Sequence, residues 1–140
     1  MADTDKQPFA PRGTTQDIEF GTALSPKFDA NGLMAAVATD ADTGEVLMLA
    51  WMNSDALQKT IETGEAHFFS RSRGKLWRKG EDSGNVMMVV EMRTDCDQDA
   101  VWMRVRMGGS GAACHTGQRT CFYRRIALGA SAGKAGLTRV

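Results

Sequence analysis

Residues 86–107 read VMMVVEMRTDCDQDAVWMRVRM, and this segment has the clearest strand pattern of the chain. In each half every second side chain is apolar, as expected when one face of a β-sheet is buried. The apolar positions of the first half are Val86, Met88, Val90 and Met92. Those of the second half are Val101, Met103, Val105 and Met107. We therefore predict two long strands, with the acidic residues 95–99 in or beside the hairpin connection between them.

Weaker patterns on both sides predict a β-rich fold with one or two short helices. Asn53 or Ser54 caps a predicted helix that ends at Gly64. Residues 40–44 form a predicted hairpin loop between two of the remaining strands, which indicates antiparallel pairing. These strands cover residues 33–39, 46–52, 67–72, 76–78 and 122–126. The predicted class is α+β, with a β-rich antiparallel sheet.

The length and composition are those of one domain with an ordinary core. The chain has 140 residues, of which 42% are hydrophobic. We place the domain at residues 16–126, because proline and glycine interrupt a polar segment before it and glycine and alanine dominate after it. Residues 1–15 are accordingly predicted to be a flexible N-terminal segment. Residues 127–140 are predicted to be a flexible C-terminal tail.

Charge and cysteine content exclude several partner classes. Seventeen basic residues balance seventeen acidic ones, so we expect neither a nucleic acid nor a membrane as partner. No apolar run approaches the roughly 20 residues of a membrane helix, and the polar N-terminus lacks a signal-peptide apolar region. Three cysteines cannot all pair within the chain, which argues against a secreted disulfide framework. We therefore expect a cytoplasmic protein.

The acidic residues 95–99 place three carboxylates and one thiol within five positions. In an extended strand Asp95, Asp97 and Asp99 would point to one face and Cys96 to the other. Carboxylate oxygens suit Mg²⁺, Mn²⁺ or Ca²⁺, whereas a thiolate suits Zn²⁺. One short segment can thus contribute to two metal sites. The alternative is a solvated acidic turn beside a buried free cysteine.

The other two cysteines, Cys114 and Cys121, are spaced too widely for a C-x-x-C zinc knuckle. Together with Cys96 they would suit a catalytic zinc site, which keeps one position open for water. Small buried cysteines in the core are the alternative. His115 follows a candidate ligand, so it is a candidate ligand itself, a proton-transfer group, or a hydrogen-bonded loop residue.

A segment rich in serine and basic residues begins at the end of the predicted strand 67–72. Residues 69–75 read FSRSRGK, and residues 79–84 read KGEDSG. Hydroxyl groups, guanidinium groups and glycine amides together are suited to binding a phosphate. A solvated basic loop is the alternative interpretation.

Six motifs occur in one order between about Leu33 and Arg124. They are LMLAWMN at 47–53, SRSR at 70–73 with LWRKGE at 76–81, SGN at 83–85, DCDQD at 95–99, ACHTG at 113–117, and CF at 121–122. In this combination the chain resembles the phosphoribosyl-AMP cyclohydrolase family, which opens the adenine ring of phosphoribosyl-AMP in histidine biosynthesis. Two positions depart from the family pattern: Met87 stands where glutamine is expected, and Phe69 where tryptophan is common.

The resemblance implies an intertwined homodimer with its active sites at the interface. It implies Mg²⁺ bound by Asp95, Asp97 and Asp99, and Zn²⁺ bound by Cys96, Cys114 and Cys121 drawn from both chains. It further implies hydrolysis of the N1–C6 bond of 1-(5-phosphoribosyl)-AMP by zinc-activated water, and we assign His115 to proton transfer. The candidate substrate-binding residues are Ser70, Arg71, Ser72, Arg73, Lys79, Glu81 and Ser83.

Two other classes deserve comparison. A zinc-dependent purine deaminase needs a His-x-Glu motif and Pro-Cys-x-x-Cys, and neither occurs in this chain. A non-catalytic zinc module needs four ligands, and one that binds nucleic acid should also be basic, whereas this chain is neutral with three cysteines. Both alternatives therefore fit the sequence less well than the hydrolase.

Overall fold

The computed structural model describes residues 8–140, and it has a four-stranded sheet at its centre. The sheet order is β2-β1-β6-β5, and two separate hairpins, β3-β4 and β7-β8, lie outside it. The helices are α1 (Thr15–Phe20) and α2 (Ser54–Thr63), and a short 3-10 helix covers Ala132–Lys134. The strands are β1 (Met34–Asp40), β2 (Val46–Met52), β3 (His67–Ser70), β4 (Lys75–Arg78), β5 (Met87–Thr94), β6 (Ala100–Met107), β7 (Arg124–Ile126) and β8 (Leu137–Arg139). None of the helices in residues 8–140 combines the length and the apolar character that a membrane span requires.

The α+β class is confirmed, but the prediction of a purely antiparallel sheet is wrong. Strands β1 and β6 pair in parallel, with Ala36 opposite Val101 and Ala38 opposite Met103. The two pairs at the edges, β1-β2 and β5-β6, are antiparallel. The alternating pattern reports which face of a strand is buried. It carries no information on the direction of a neighbour that is distant in sequence.

Helix α2 begins and ends where its sequence signals are. The side chain of Asn53 accepts a hydrogen bond from the Ala56 N–H at 2.8 Å, and Gly64 ends the helix with φ 73°. This is the N-cap and left-handed C-cap pattern of a short helix. The Thr60 hydroxyl is buried against β3, where it accepts a hydrogen bond from the His67 N–H at 2.9 Å. Helix α2 therefore covers the core face of the sheet together with β3 and β4.

Strand β5 contains a β-bulge that changes which of its side chains are buried. The register with β6 shifts between Val89 and Glu91, so Val90 is an extra residue. Met87 and Val89 face the core before the bulge and Met92 after it, whereas Met88 and Val90 are 46% and 48% exposed. The prediction that Met88 and Val90 belong to the buried face is therefore wrong. The prediction for β6 is confirmed at its three buried positions, Val101, Met103 and Val105.

Residues near both ends of the described range 8–140 make contacts. Residues 1–7 of the predicted flexible segment lie outside the described residues. Phe9 packs against the core, and the Ala10 N–H donates to the Leu24 carbonyl at 3.0 Å. In the predicted tail, β8 pairs with β7, although Leu128 between them is 93% exposed. The boundaries of the domain stay a prediction.

Candidate active site

The three aspartates of residues 95–99 lie close together at the turn between β5 and β6. One oxygen from each carboxylate lies within 4.8 Å of the others. The turn, rather than the alternation of an extended strand, brings them together. One oxygen of Asp95 accepts hydrogen bonds from the N–H groups of Asp99 (2.9 Å) and Ala100 (3.2 Å). The loop therefore concentrates negative charge in a small exposed volume.

The electrostatics of this cluster are those of carboxylates that share protons. The hydrogen bond with Asp95, followed by that with Asp97, raises the pKa of Asp99 to about 6. Burial raises the pKa of Asp95, but hydrogen bonds from Asp99 and Ala100 outweigh burial and lower it. Three hard oxygen donors at this separation fit Mg²⁺ or a similar cation. A bound cation would replace the proton that Asp99 holds below about pH 6.

Two residues that the sequence analysis did not identify as site residues, Gln98 and Arg12, support this loop through hydrogen bonds. Gln98 is only 5% exposed, and its side chain reaches the segment that follows α1. Arg12 donates to the carbonyl oxygen of Asp97 at 2.8 Å. The burial of Gln98 could not be predicted from its residue type, because glutamine is usually exposed.

A second cluster brings Cys114, Cys121 and Lys79 together. Cys114 is 8% exposed, and its sulfur accepts a hydrogen bond from the Thr116 hydroxyl at 3.0 Å. Burial raises the pKa of Cys114, but the Thr116 hydrogen bonds, the Cys121 thiol and the Lys79 ammonium together lower it. Burial and the neighbouring Cys114 raise the pKa of Cys121 to about 11. In the metal-free protein Cys114 is thus the more acidic thiol of an adjacent pair.

The loop that carries both thiols is fixed to the hairpin between β1 and β2. The Cys121 N–H donates to the Leu47 carbonyl at 2.7 Å. Arg119 forms ion pairs with Asp40 and with Glu45. These contacts place the thiol pair beside the end of β2 that begins at Val46.

Cys96 does not join this pair within one chain. In residues 8–140, the three aspartates are the only group of three or more potential metal-ligand side chains that meet within 4.8 Å. Asp95, the residue before Cys96, is hydrogen-bonded to Ala100, which lies opposite Ala35 in the sheet. Cys121 is hydrogen-bonded to Leu47, which lies beside Ala38 and Thr39, three to four residues further along the same strand. At about 3.3 Å per strand residue, the two positions are roughly 10 Å apart along the sheet. A single chain therefore provides two of the three predicted zinc ligands in one place.

His115 follows Cys114 and is exposed. In the part of the chain that the structure describes, no hydrogen bond or ion pair fixes its ring. Its predicted role in proton transfer stays a prediction.

The serine- and arginine-rich segment forms an exposed turn between β3 and β4. The Ser70 hydroxyl accepts a hydrogen bond from the Arg73 N–H at 3.2 Å and lies 3.4 Å from the Ser72 hydroxyl. The Arg71 guanidinium lies over the Trp51 ring, 4.7 Å from its centroid. This stacking holds one cation of the turn against β2 and leaves Arg73 exposed.

The remaining predicted substrate residues lie in the loop after β4. Glu81 accepts a hydrogen bond from the Arg78 N–H at 2.9 Å, and Ser83 accepts one from the Asn85 N–H at 3.1 Å. Asn85 in turn accepts a hydrogen bond from the Ser110 N–H at 2.8 Å.

The Lys79 ammonium donates to the Ala113 carbonyl at 2.6 Å. The loop is thereby joined to the segment that leads into Cys114.

The two departures from the family pattern have different surroundings. Met87 is fully buried in the core cluster, so its side chain contributes to the packing of the interior. Phe69 is half-buried opposite Leu76 in the β3-β4 hairpin. Neither position belongs to the acidic cluster or the thiol cluster.

An α+β chain with a carboxylate cluster and a loop of paired thiols has the side chains of a metal-dependent hydrolase. The model of the family described as Phosphoribosyl-AMP cyclohydrolase matches residues 48–123, more than half of the chain. The chain belongs to the phosphoribosyl-AMP cyclohydrolase family. The matched range contains both clusters and the β3-β4 turn.

Curated relatives support the same conclusion. A protein of Rhodopseudomonas palustris (strain BisA53) named Phosphoribosyl-AMP cyclohydrolase is 68% identical over 110 residues, which are 79% of this chain and 74% of the relative. A protein of the same name from Brucella anthropi is 63% identical over 109 residues, 78% of this chain and 77% of the relative. A third, from Rhizorhabdus wittichii, is 66% identical over 111 residues, 79% of this chain and 88% of the relative.

Proposed function

We propose that this chain is a phosphoribosyl-AMP cyclohydrolase, which hydrolyses the N1–C6 bond of the adenine ring of 1-(5-phosphoribosyl)-AMP. The product is the formimino-aminoimidazole carboxamide ribotide. The observation that carries the proposal is the juxtaposition of Cys114, Cys121 and Lys79 inside the family-matched range. The three cysteines are free thiols, which accords with a reducing cytoplasm as the place of the reaction.

The thiol pair fits a zinc ion, because soft sulfur donors lie next to each other and one of them is already the more acidic. Cys114 and Cys121 would hold the ion, and Cys96 would complete the set of three. A zinc ion held in this way supplies a Lewis acid that lowers the pKa of a water molecule. Three protein ligands leave one coordination position open, as in catalytic zinc sites.

The distance between Cys96 and the thiol pair supports a homodimer in which Cys96 of the partner subunit completes the site. The sheet offers an apolar surface for such an assembly on the face opposite the core. Leu49, Val37 and Trp102 form one cross-strand row on this face, and Leu49 and Trp102 are 50% and 36% exposed. Burial of this row would add hydrophobic stabilisation to the dimer. The intertwined arrangement of the two subunits is part of this proposal.

The other residues have roles that follow from their charge and place. Asp95, Asp97 and Asp99 would hold Mg²⁺ and so orient the phosphate or ribose oxygens of the substrate. Arg71 and Arg73 would bind phosphate, with Ser70, Ser72 and Ser83 as neutral donors. His115 would carry the proton that the leaving N1 nitrogen needs. Glu81 shapes the loop through its bond to Arg78.

The reaction is tested by the ultraviolet absorbance of purified protein incubated with phosphoribosyl-AMP. Opening of the purine ring should change the spectrum with time. A Cys114→Ser variant that keeps its circular dichroism and melting temperature should leave the spectrum flat. A Cys114→Ser variant that turns over as fast as the unmodified protein, or an unmodified zinc-loaded protein without turnover, contradicts the proposal.

A further inference from the structure

The side chain of Gln98 joins the acidic loop to a segment that lies outside the family-matched range. Its carbonyl oxygen accepts a hydrogen bond from the Ser25 N–H at 2.8 Å. Its amide group donates to the carbonyl oxygens of Ile18 at 3.0 Å and Ala23 at 3.5 Å. With 5% of its surface exposed, Gln98 acts here as an internal connector rather than as a ligand.

The backbone of Gln98 shapes the turn that carries the aspartates. Its φ of 58° is the one left-handed value among non-glycine residues of the described chain. This conformation is unfavourable for a residue with a Cβ atom. The three side-chain hydrogen bonds, together with a bond from the Lys27 N–H to the Gln98 carbonyl at 2.7 Å, offset that cost. The turn therefore depends on the preceding segment for its shape.

Arg12 makes a second connection between the same two parts of the chain. One nitrogen of its guanidinium donates to the Ser25 carbonyl and to the Asp97 carbonyl, each at 2.8 Å. The permanent positive charge thus lies beside a loop with three carboxylates. The Arg12 hydrogen bond fixes the backbone of Asp97.

We propose that Arg12 and Gln98 are positioning residues that hold the acidic loop ready for a divalent cation. The segment 12–25, which precedes the matched range 48–123, is the support of the cation site. This inference rests on the proposed function, because it takes the aspartates as the cation site. Neither residue touches the cation. Each lowers the cost of gathering three carboxylates before the cation arrives, which is how supporting contacts raise affinity.

The test is the binding of Mn²⁺ to zinc-loaded protein, followed by electron paramagnetic resonance of the free ion. We expect Gln98→Ala and Arg12→Ala each to weaken Mn²⁺ binding about tenfold. The matched controls are Gln58→Ala, which removes a hydrogen bond to Glu62 within α2, and Arg125→Ala at an exposed position of β7; both should bind Mn²⁺ as the unmodified protein does. Zinc content is measured in all four variants, and Mn²⁺ affinities are compared at equal zinc loading, because Cys96, the proposed third zinc ligand, lies in the same loop as the aspartates.

A Gln98→Gly variant separates the backbone from the side chain. Glycine adopts a positive φ without strain but makes none of the three hydrogen bonds. Binding as weak as in Gln98→Ala supports the inference, whereas binding of unmodified strength overturns the role of the side chain. If the Gln98 variants do not fold, the Arg12→Ala variant at an exposed position provides the test. An unchanged Mn²⁺ affinity of Arg12→Ala overturns the inference. If the unmodified protein itself binds no Mn²⁺, the cation part of the proposed function fails, and the inference fails with it.

Discussion

The Lys79 ammonium lies 2.6 Å from the carbonyl oxygen of Ala113, the residue before Cys114. Burial lowers the pKa of Lys79, and the nearby Cys121 and Cys114 oppose that effect. The sequence places Lys79 among the phosphate-binding candidates. Its hydrogen bond and its neighbours instead connect it to the thiol loop. We interpret it as a group that fixes this loop and balances its negative charge.

Replacement of Lys79 by methionine should weaken zinc binding. In the proposed zinc site three thiolates would leave one net negative charge, and the half-buried ammonium would offset it. We expect a loss of roughly tenfold in zinc affinity, typical for supporting groups around a metal, measured by competition with a chelator. Lys59→Met, on the exposed surface of α2, is the matched control. Equal zinc affinity for both variants would refute this role for Lys79.

Removal of the Thr116 hydroxyl should make Cys114 less reactive. The hydroxyl donates to the Cys114 sulfur at 3.0 Å and stabilises its thiolate form. Thr116→Val should therefore raise the pKa of Cys114 and slow its alkylation by iodoacetamide in metal-free protein near neutral pH. Thr116→Ser keeps the hydroxyl and should react at the original rate. The prediction is wrong if valine and serine variants react alike.

The ion pair of Asp40 and Arg119 should make stability depend on pH. Backbone hydrogen bonds from Thr43 and Asp42, together with Arg119, hold the pKa of Asp40 below its usual value of 3.8. Because the pKa of Asp40 is lower in the folded state than in the unfolded state, its ionised carboxylate stabilises the fold at pH values above 3.8. This contribution is lost as the pH falls through the pKa of the folded state. Asp40→Asn should lower the melting temperature at pH 7, and the difference should shrink in acid. A difference that stays constant from neutral pH to about pH 3 would contradict this linkage.

Truncation of two aliphatic side chains on α2, Leu57 and Ile61, should reduce stability by different amounts. Leu57 is 1% exposed and packs in the core, whereas Ile61 is 48% exposed. Leu57→Ala should lower the free energy of unfolding by about 2–4 kcal/mol, because it leaves a cavity. Ile61→Ala should cost less than about 1 kcal/mol. Urea denaturation measures both, and similar losses would show that the helix does not pack as the structure indicates.

Local signals allowed the prediction of several elements. Asn53 and Gly64 mark the ends of α2 because capping depends on one or two neighbouring residues. Strand β6 was predictable because its alternation is uninterrupted. The position of β5 was also predictable, but its buried face was not, since the bulge at Val90 depends on a partner strand and puts the side chains before and after it on opposite alternations. The parallel pairing of β1 with β6 is likewise a tertiary property.

The candidate site was predictable in its residue types and only partly in its arrangement. Asp95, Asp97 and Asp99 do lie together, although a turn rather than a strand gathers them. Cys114 and Cys121 also meet, although seven positions separate them. The support from Gln98 could not be read from the sequence, because its partners at residues 18–25 lie more than 70 positions away.

The central claim is that hydrolysis occurs at a thiol site completed by two chains. The most direct measurement mixes two inactive variants, Cys96→Ser and Cys114→Ser, after dissociation and reassembly. Random pairing gives heterodimers in half of the dimers, each with one intact site, so we predict recovery of about a quarter of the unmodified activity. If both parents are folded, dimeric and inactive and the reassembled mixture stays inactive, the shared site is contradicted.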